Sequence, residues 1–253
     1  MDIEIFIHPT CSTCHALLQR LHRWGLTDKV RIIDTSKDPY TAIERGVRSV
    51  PSIFINGELM FAGVIDFNEL HAILTGSNKS SQSMGEDELV QAFLRGVLDS
   101  VATALWLYVN EDCSAFLRDE KTLKAMMGTG DEELRRFIKL ATNNIDCSAL
   151  VSQNEESFLR DIATNFAREI YWVLGAMKWE NVRKLYTRES LAHWMIVRSA
   201  LGRVGLRPHR LSEPEFGSKV AKVLDYLSEN FDELMSKVIK EQEEIAKDWP
   251  KLV

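Results

Sequence analysis

Hydrophobic and polar positions in the first 75 residues follow two alternating patterns. Short runs rich in apolar and β-branched residues predict four strands, at 3–7, 30–35, 51–55 and 58–63. Apolar residues spaced three or four positions apart predict helices at 11–24, from Asp38 onward and at 66–75. The predicted order is therefore β-α-β-α-β-β-α, which is typical of a small α/β domain.

Local turn and cap signals support this order. Asn56-Gly57 separates the last two strands and is the strongest short-range signal for a β-hairpin. Pro39 stands at the first position of the second helix, where its missing N–H is tolerated. Asp66, with Glu69 three residues later, forms a capping box that begins the third helix.

The pattern changes after residue 76. Residues 77–85 are rich in serine and lack a regular apolar spacing, which is typical of a flexible connector. Beyond them helical spacing dominates, with predicted helices at 86–109, 114–127, 131–145, 153–178, 187–204 and 213–247. We therefore predict an α/β domain at 1–76, a linker at 77–85 and an all-α helical bundle domain at 86–253.

Composition and charge restrict the function of the chain. It has 253 residues, 45% of them hydrophobic, and a formal net charge of −6, which argues against nucleic-acid binding as its main task. No apolar run reaches the roughly 18 residues of a membrane span, and no secretory signal is evident. We therefore expect a cytoplasmic protein with no nucleic acid or membrane as partner. In that compartment a close cysteine pair is catalytic or binds a metal.

The stretch PTCSTCHALLQRL, residues 9–21, contains such a pair. Cys11 follows a predicted strand and begins a predicted helix, whose free N–H groups and dipole stabilise a thiolate. Cys14 lies one turn later on the apolar face, with three leucines, and should be less exposed. This asymmetry suits a dithiol in which Cys11 attacks a substrate disulfide and Cys14 resolves the mixed disulfide.

The same stretch is open to two other interpretations. C-x-x-C-H is also the attachment motif of a c-type haem, with His15 as an axial ligand. The two thiolates with His8 and His15 would give four ligands for zinc, and a cysteine pair could also share an iron–sulfur cluster between two chains. His15 falls on the polar face of the helix, with Gln19, where we expect it to be solvated. We therefore predict neither a metal nor a bound cofactor.

Two segments, IEIFIHPTCSTC and RSVPSIFINGEL, together resemble the thioredoxin/glutaredoxin family, and most closely its small archaeal members. The resemblance covers about residues 1–75 and implies a thioredoxin-like fold with thiol–disulfide oxidoreductase activity. It also implies that Pro51 follows a cis peptide bond and faces the C-x-x-C. In the same way it implies that the backbone of Val50 forms hydrogen bonds with the substrate.

Three sites depart from the usual family pattern. Thr10 replaces the tryptophan that usually precedes the first cysteine, and Ser12-Thr13 replaces the usual Gly-Pro between the cysteines. Ile5 stands about where these proteins bury an aspartate that helps deprotonate the second cysteine. The resemblance implies that Thr10, Ser12 and Thr13 contact the substrate beside the cysteines. The departures leave the redox potential and the direction of electron flow open.

Two further cysteines, Cys113 and Cys147, lie near the ends of predicted helices in the second part. The sequence allows three states for them: free thiols, a structural disulfide, or a secondary redox pair that exchanges electrons with the C-x-x-C. Each state has different consequences for stability and activity.

The sequence as a whole predicts a thiol–disulfide oxidoreductase. Its partners would be a protein disulfide as substrate and an upstream reductase or a small thiol as electron donor. The helical domain would select partners or form a homo-oligomer. The competing hypothesis is a non-enzymatic adaptor, in which the first domain is a docking module for the helical domain.

Overall fold

The computed structural model describes residues 1–77, 84–199 and 212–253, and these residues form two compact units. The first unit combines Met1–Gly96 with Leu117–Asn143 and Gln242–Val253. The second unit combines Val97–Phe116 with Asn144–Glu241. Residues 78–83 of the predicted linker lie outside the described residues, and the domain boundary at 77–85 stays a prediction.

A four-stranded mixed sheet lies in the first unit. Its strands are β1 (Ile3–Ile7), β2 (Arg31–Asp34), β3 (Ser52–Ile55) and β4 (Glu58–Ala62), in the spatial order β2-β1-β3-β4. β1 and β2 are parallel, whereas β1–β3 and β3–β4 are antiparallel pairs. Asn56 and Gly57 both have positive φ values, of 50° and 83°, as a tight hairpin turn between β3 and β4 requires. The predicted order of strands and helices along the chain and the predicted hairpin are confirmed.

Three helices alternate with these strands, and they are α1 (Ser12–Trp24), α2 (Pro39–Glu44) and α3 (Phe67–Thr75). Asp38 caps α2 by accepting a 3.1 Å hydrogen bond from the Thr41 N–H, and Asp66 caps α3. Because side chains alternate along a strand, β1 contributes to two apolar clusters on opposite faces of the sheet. One cluster contains Ile5, Ile7, Leu17, Leu18, Leu21 and Leu70. The other contains Phe6, Ile33, Ala42 and Phe54.

The described residues after 84 contain helices and no strand, so the predicted helical character is confirmed. The helices are α4 (Glu86–Leu98), α5 (Val101–Asn110), α6 (Ser114–Leu117), α7 (Glu120–Met127), α8 (Asp131–Asn144), α9 (Cys147–Gln153), α10 (Glu155–Leu174), α11 (Trp179–Leu185), α12 (Arg188–Arg198) and α13 (Glu213–Leu252). No single helix among the described residues has the length and apolar character to cross a membrane. α4 and α5 meet that test only as a pair, which is bent by 112°.

Helix boundaries differ from the sequence prediction at several points. The predicted helix at 86–109 is two helices, because the chain bends between α4 and α5. The predicted helix at 114–127 divides at Asp119, whose side chain accepts a hydrogen bond from the Thr122 N–H and so begins α7. Residues 200–204 of the predicted helix at 187–204 lie outside the described residues.

The last turns of α13 belong to the first unit, although they lie at the far end of the chain. Trp249 and Leu252 pack against the apolar cluster that α1 and α3 form with the sheet. His22 on α1 is also 3.2 Å from the carbonyl oxygen of Leu252, measured from Nε2. The thioredoxin-like part of the chain is thus packed against residues 242–253.

The second unit has an aromatic core. The ring of Phe166 on α10 lies 5.1 Å from those of Tyr186 and Trp194 and 6.3 Å from that of Phe231, measured between centroids. Edge-to-face contacts of this kind stabilise a core beyond the burial of their area. The aromatic residues therefore join α10, α12 and α13 in one apolar interior.

Candidate functional site

The two cysteines of C-x-x-C lie where α1 begins. Cys11 is the N-cap residue, with an extended backbone (φ −94°, ψ 116°), and its N–H donates a 3.1 Å hydrogen bond to the carbonyl of His8. The Cys14 N–H donates a 3.1 Å hydrogen bond to Cys11 Sγ. The sulfur thus takes the place of the oxygen of a conventional N-cap side chain, at the end of the helix where the dipole favours negative charge.

The two thiols differ in their access to solvent. Neither cysteine is in a disulfide, and Cys11 is partly exposed whereas Cys14 is fully buried, at 0%. Cys14 packs with Leu17 and Leu18 against the sheet. A substrate disulfide can therefore reach Cys11 first, as the helical spacing predicts.

The segment before β3 faces the first cysteine. The Val50–Pro51 peptide bond is cis, as the resemblance implies. Cys11 Sγ lies 3.5 Å from the carbonyl oxygen of Val50 and donates a weak hydrogen bond to it. Pro51 is buried, and its carbonyl accepts a 2.8 Å hydrogen bond from the Gly63 N–H after β4. The fold thus brings two segments 39 residues apart to one sulfur atom.

The other residues predicted to contact substrate flank the cysteines. Ser12 and Thr13 form the first turn of α1 and are partly exposed. Thr10 is partly exposed as well, and its Oγ1 lies 2.8 Å from His8 Nδ1. All three are accessible next to Cys11, and their contact with a substrate stays a prediction.

Comparison with known proteins agrees with this geometry. Residues 1–75 match the thioredoxin domain. A probable thioredoxin of Methanothermobacter thermautotrophicus is 35% identical over 74 residues, which are 28% of this chain and 87% of that protein. The chain belongs to the thioredoxin family. Membership supports a general thiol–disulfide redox role for its first 75 residues, and no solved structure matches the chain.

His8 also lies at this thioredoxin-like site, although its sequence position suggested only a possible zinc ligand. Its Nδ1 accepts a 3.3 Å hydrogen bond from the Thr10 N–H, in addition to the contact with the Thr10 hydroxyl. Burial lowers the pKa of His8, while the Asp34 carboxylate opposes that shift. The neutral His8 imidazole therefore stabilises the loop between β1 and α1 through these contacts with Thr10. Its position three residues before Cys11, directly after a strand, was the available sequence signal.

The predicted solvation of His15 is wrong. His15 is only 7% exposed, and its Nε2 lies 3.4 Å from Asp248 Oδ2 near the end of α13. Gln19 Nε2 lies 3.3 Å from both of these atoms. The polar face of α1 is covered by polar side chains of α13. Such a contact between residues more than 200 positions apart leaves no periodic signal in the sequence.

Cys113 and Cys147 are joined in a disulfide within the second unit. Cys113 is 4% exposed, and the two Cα atoms are 5.9 Å apart. Ser148 Oγ donates a 2.7 Å hydrogen bond to Glu111 Oε2 beside the disulfide. The bond therefore joins the residues after α5 to the first turn of α9, and the free-thiol state allowed by the sequence is not the one observed.

Residues that could hold a metal do not come together in the part of the chain that the structure describes. No group of three or more His, Cys, Asp or Glu side chains there is arranged to bind an ion. The His8 ring instead contacts Thr10, and the His15 ring contacts Asp248.

Proposed function

We propose that the chain is a thiol–disulfide oxidoreductase that exchanges disulfides with a protein partner through Cys11 and Cys14. One observation carries the proposal. Cys11 Sγ lies at the start of α1, accepts a hydrogen bond from the Cys14 N–H, and faces the carbonyl that precedes the cis proline. The family to which residues 1–75 belong supports the same redox role.

The first step is attack by the Cys11 thiolate on one sulfur of a substrate disulfide. The Cys14 N–H, 3.1 Å from Cys11 Sγ, stabilises the thiolate before attack. A bond forms between Cys11 Sγ and the substrate sulfur, the substrate S–S bond breaks, and the second substrate sulfur leaves as a thiolate that takes a proton from solvent.

The second step releases the substrate. The Cys14 sulfur attacks Cys11 Sγ, the mixed disulfide breaks, and the proton of the Cys14 thiol ends on the departing substrate sulfur, which is released as a thiol. Two electrons and two protons have then passed from the dithiol to the substrate, and the chain is left with a Cys11–Cys14 disulfide. Burial of Cys14 keeps the second thiol away from other reactants until the mixed disulfide has formed.

Substrate binding would use the groups around Cys11. The Val50 carbonyl, which now accepts the thiol hydrogen, would accept an N–H from an extended substrate segment. Pro51 is buried, so it would act by holding the cis turn that presents the Val50 carbonyl, and Thr10, Ser12 and Thr13, which are partly exposed, would contact the substrate beside the sulfur. An upstream reductase or a small thiol would then reduce the Cys11–Cys14 disulfide.

The remaining parts of the proposal concern the whole chain. The helical residues would select the protein partner or support self-association, and the protein would act in the cytoplasm. A change that disables partner selection or self-association should alter which partners are captured as mixed disulfides. It should leave the thiol chemistry itself intact.

Insulin reduction driven by dithiothreitol tests the proposed activity. The wild-type chain should accelerate precipitation of the insulin B chain, and Cys11→Ser should abolish the acceleration. A serine at the half-exposed position keeps the fold and removes the nucleophile, so a melting curve serves as the control for folding. Equal activity in the two proteins would refute the proposal. A wild-type chain with no reversible Cys11–Cys14 disulfide would favour the adaptor.

A further inference from the structure

The peptide group that precedes Cys11 is held at both ends. Its N–H, which belongs to Cys11, donates to the His8 carbonyl at 3.1 Å. Its carbonyl oxygen, which belongs to Thr10, accepts a 3.1 Å hydrogen bond from Gln242 Nε2. Because a peptide group is planar, two bonds on opposite sides fix its orientation. The backbone position of Cys11 therefore depends on a side chain near the far end of the chain.

The Gln242 side chain is itself held in place. It is 7% exposed, and it lies on α13 six residues before Asp248. Asp248 contacts His15 and Gln19 on α1, and Trp249 packs against the apolar cluster below that helix. A long side chain loses rotamer freedom when it is ordered, so a helix that fixes its Cα lowers the cost of the contact with Thr10.

We propose that Gln242 is a positioning residue for the dithiol, and that its hydrogen bond to the Thr10 carbonyl sets the equilibrium between the Cys11/Cys14 dithiol and its disulfide. The inference rests on the proposed function, because it concerns the redox reaction of the same two cysteines. It extends the site beyond residues 1–75, which are the part matched by the thioredoxin domain.

The expected direction of the shift in the dithiol/disulfide equilibrium follows from the redox state in which Gln242 contacts Thr10. The two cysteines are in the dithiol state, with no disulfide between them, and Cys11 Sγ accepts a hydrogen bond from the Cys14 N–H. Formation of a disulfide draws the two sulfurs to about 2.05 Å, and on our proposal the Cys11 backbone follows its side chain, so that the hydrogen bond between Gln242 and the Thr10 carbonyl is weakened. A bond that fixes this peptide group in the dithiol state therefore favours the dithiol over the disulfide.

Two substitutions in the full-length chain test the proposal. Gln242→Met keeps the length and flexibility of the side chain and removes the N–H donor. Gln242→Glu also removes the donor at neutral pH and adds a charge. Equilibration with glutathione buffers should show the dithiol/disulfide constant shifted about fivefold toward the disulfide in both variants, the typical net effect of one neutral hydrogen bond. For this two-electron couple a fivefold change is about 20 mV.

Gln153→Met is the matched control, because Gln153 is an exposed residue at the end of α9 in the second unit. It should leave the constant within about twofold of wild type, as surface substitutions usually do. A constant that is unchanged in Gln242→Met would overturn the proposal. A shift confined to Gln242→Glu would also overturn it, because the added charge and not the lost donor would then be the cause.

A second measurement separates this inference from the proposed function. The rate of Cys11 alkylation by iodoacetamide, read by mass spectrometry, depends on the placement of the thiol and needs no disulfide. A wild-type chain that forms no Cys11–Cys14 disulfide would refute the oxidoreductase. In that case a severalfold change in the alkylation rate of Gln242→Met would still support the positioning role, and an unchanged rate would refute it.

Discussion

The two cysteine pairs of this chain differ in their sequence separation and in whether they form a disulfide. Cys11 and Cys14 are three residues apart, at the N-cap and in the first turn of α1, and Cys11 is partly exposed. Cys113 and Cys147 are 34 residues apart and form a disulfide that joins the segment between α5 and α6 to the start of α9. A disulfide that closes a long loop removes more entropy from the unfolded chain than one that closes a single helical turn. The first pair is therefore suited to exchange, and the second to stabilisation.

Activity gives the largest expected difference between the pairs. Cys11→Ser should lower insulin reduction by about a hundredfold or more, since it removes the attacking sulfur. The double substitution Cys113→Ser/Cys147→Ser should keep the rate within about twofold of wild type, because no step of the proposed reaction uses that disulfide. Both rates are measured at a temperature at which each variant is folded.

The contrast would fail if the second pair exchanged electrons with the first. A Cys11→Ser/Cys14→Ser protein can be incubated with reductant, and the state of Cys113 and Cys147 read by mass spectrometry. If the disulfide is only structural, its reduction should proceed at the same rate in this protein and in wild type. Slower reduction in the variant would show that the C-x-x-C reduces it and would overturn the division into exchange and stabilisation.

Stability gives the second difference. Loss of the Cys113–Cys147 bond opens the loop between two cysteines that are 34 positions apart. For a loop of this length the chain-entropy relation predicts that the disulfide contributes about 4 kcal/mol to the free energy of unfolding at 25 °C. Cys113→Ser/Cys147→Ser should therefore lower the free energy of unfolding of the second unit by about that amount. Hydrogen exchange of peptides from α9 and α10 measures it locally. Equal protection in the variant and wild type would contradict the stabilising role.

Much of the thioredoxin-like fold could be predicted because its signals are local. The Asn56-Gly57 turn, the Asp66 cap and the apolar spacing after Cys11 each act within a few residues, and all three elements form as predicted. The prediction that the Val50–Pro51 segment faces Cys11 rested on a family pattern, since nothing local to either segment brings Cys11 and the Val50 carbonyl together.

The contacts made by α13 could not be predicted in this way. Asp248 lies 233 positions after His15, and Gln242 lies 232 positions after Thr10. Amphipathic spacing shows which face of a helix is polar but not whether another polar helix face covers it. His15 was for this reason predicted to be solvated. The hydrogen bond from Gln242 to the Thr10 carbonyl could not be predicted from the sequence pattern either.

The pH dependence of stability gives a third and smaller difference, between the two units. In the first unit, burial lowers the pKa of His8, so that unit loses stability as pH falls through the ordinary histidine range near 6.5. In the second unit, burial raises the pKa of Asp161 to about 7, with Arg168 opposing the shift and Asp99 adding to it. The folded state then binds the proton more tightly than the unfolded chain, so stability falls as pH rises from about 4 to about 7. His8 and Asp161 therefore change the stability of their units with pH in opposite directions.

Asp161→Asn isolates the second of these responses. Asp161 Oδ2 is buried without a hydrogen-bond partner among the described residues, so the ionised form is poorly solvated. One unit of pKa shift corresponds to about 1.4 kcal/mol, and solvent around the partly exposed carboxyl reduces the full effect. We expect the stability gain of the variant over wild type to be roughly 2 kcal/mol larger at pH 8 than at pH 5. Hydrogen exchange of α10, corrected for intrinsic rates, measures this gain.

Asp225→Asn is the control, because Asp225 is an exposed residue of α13, and it should show no such dependence on pH. A difference that is the same at both pH values would mean that the Asp161 carboxyl does not titrate between them, and the predicted opposition between His8 and Asp161 would be wrong.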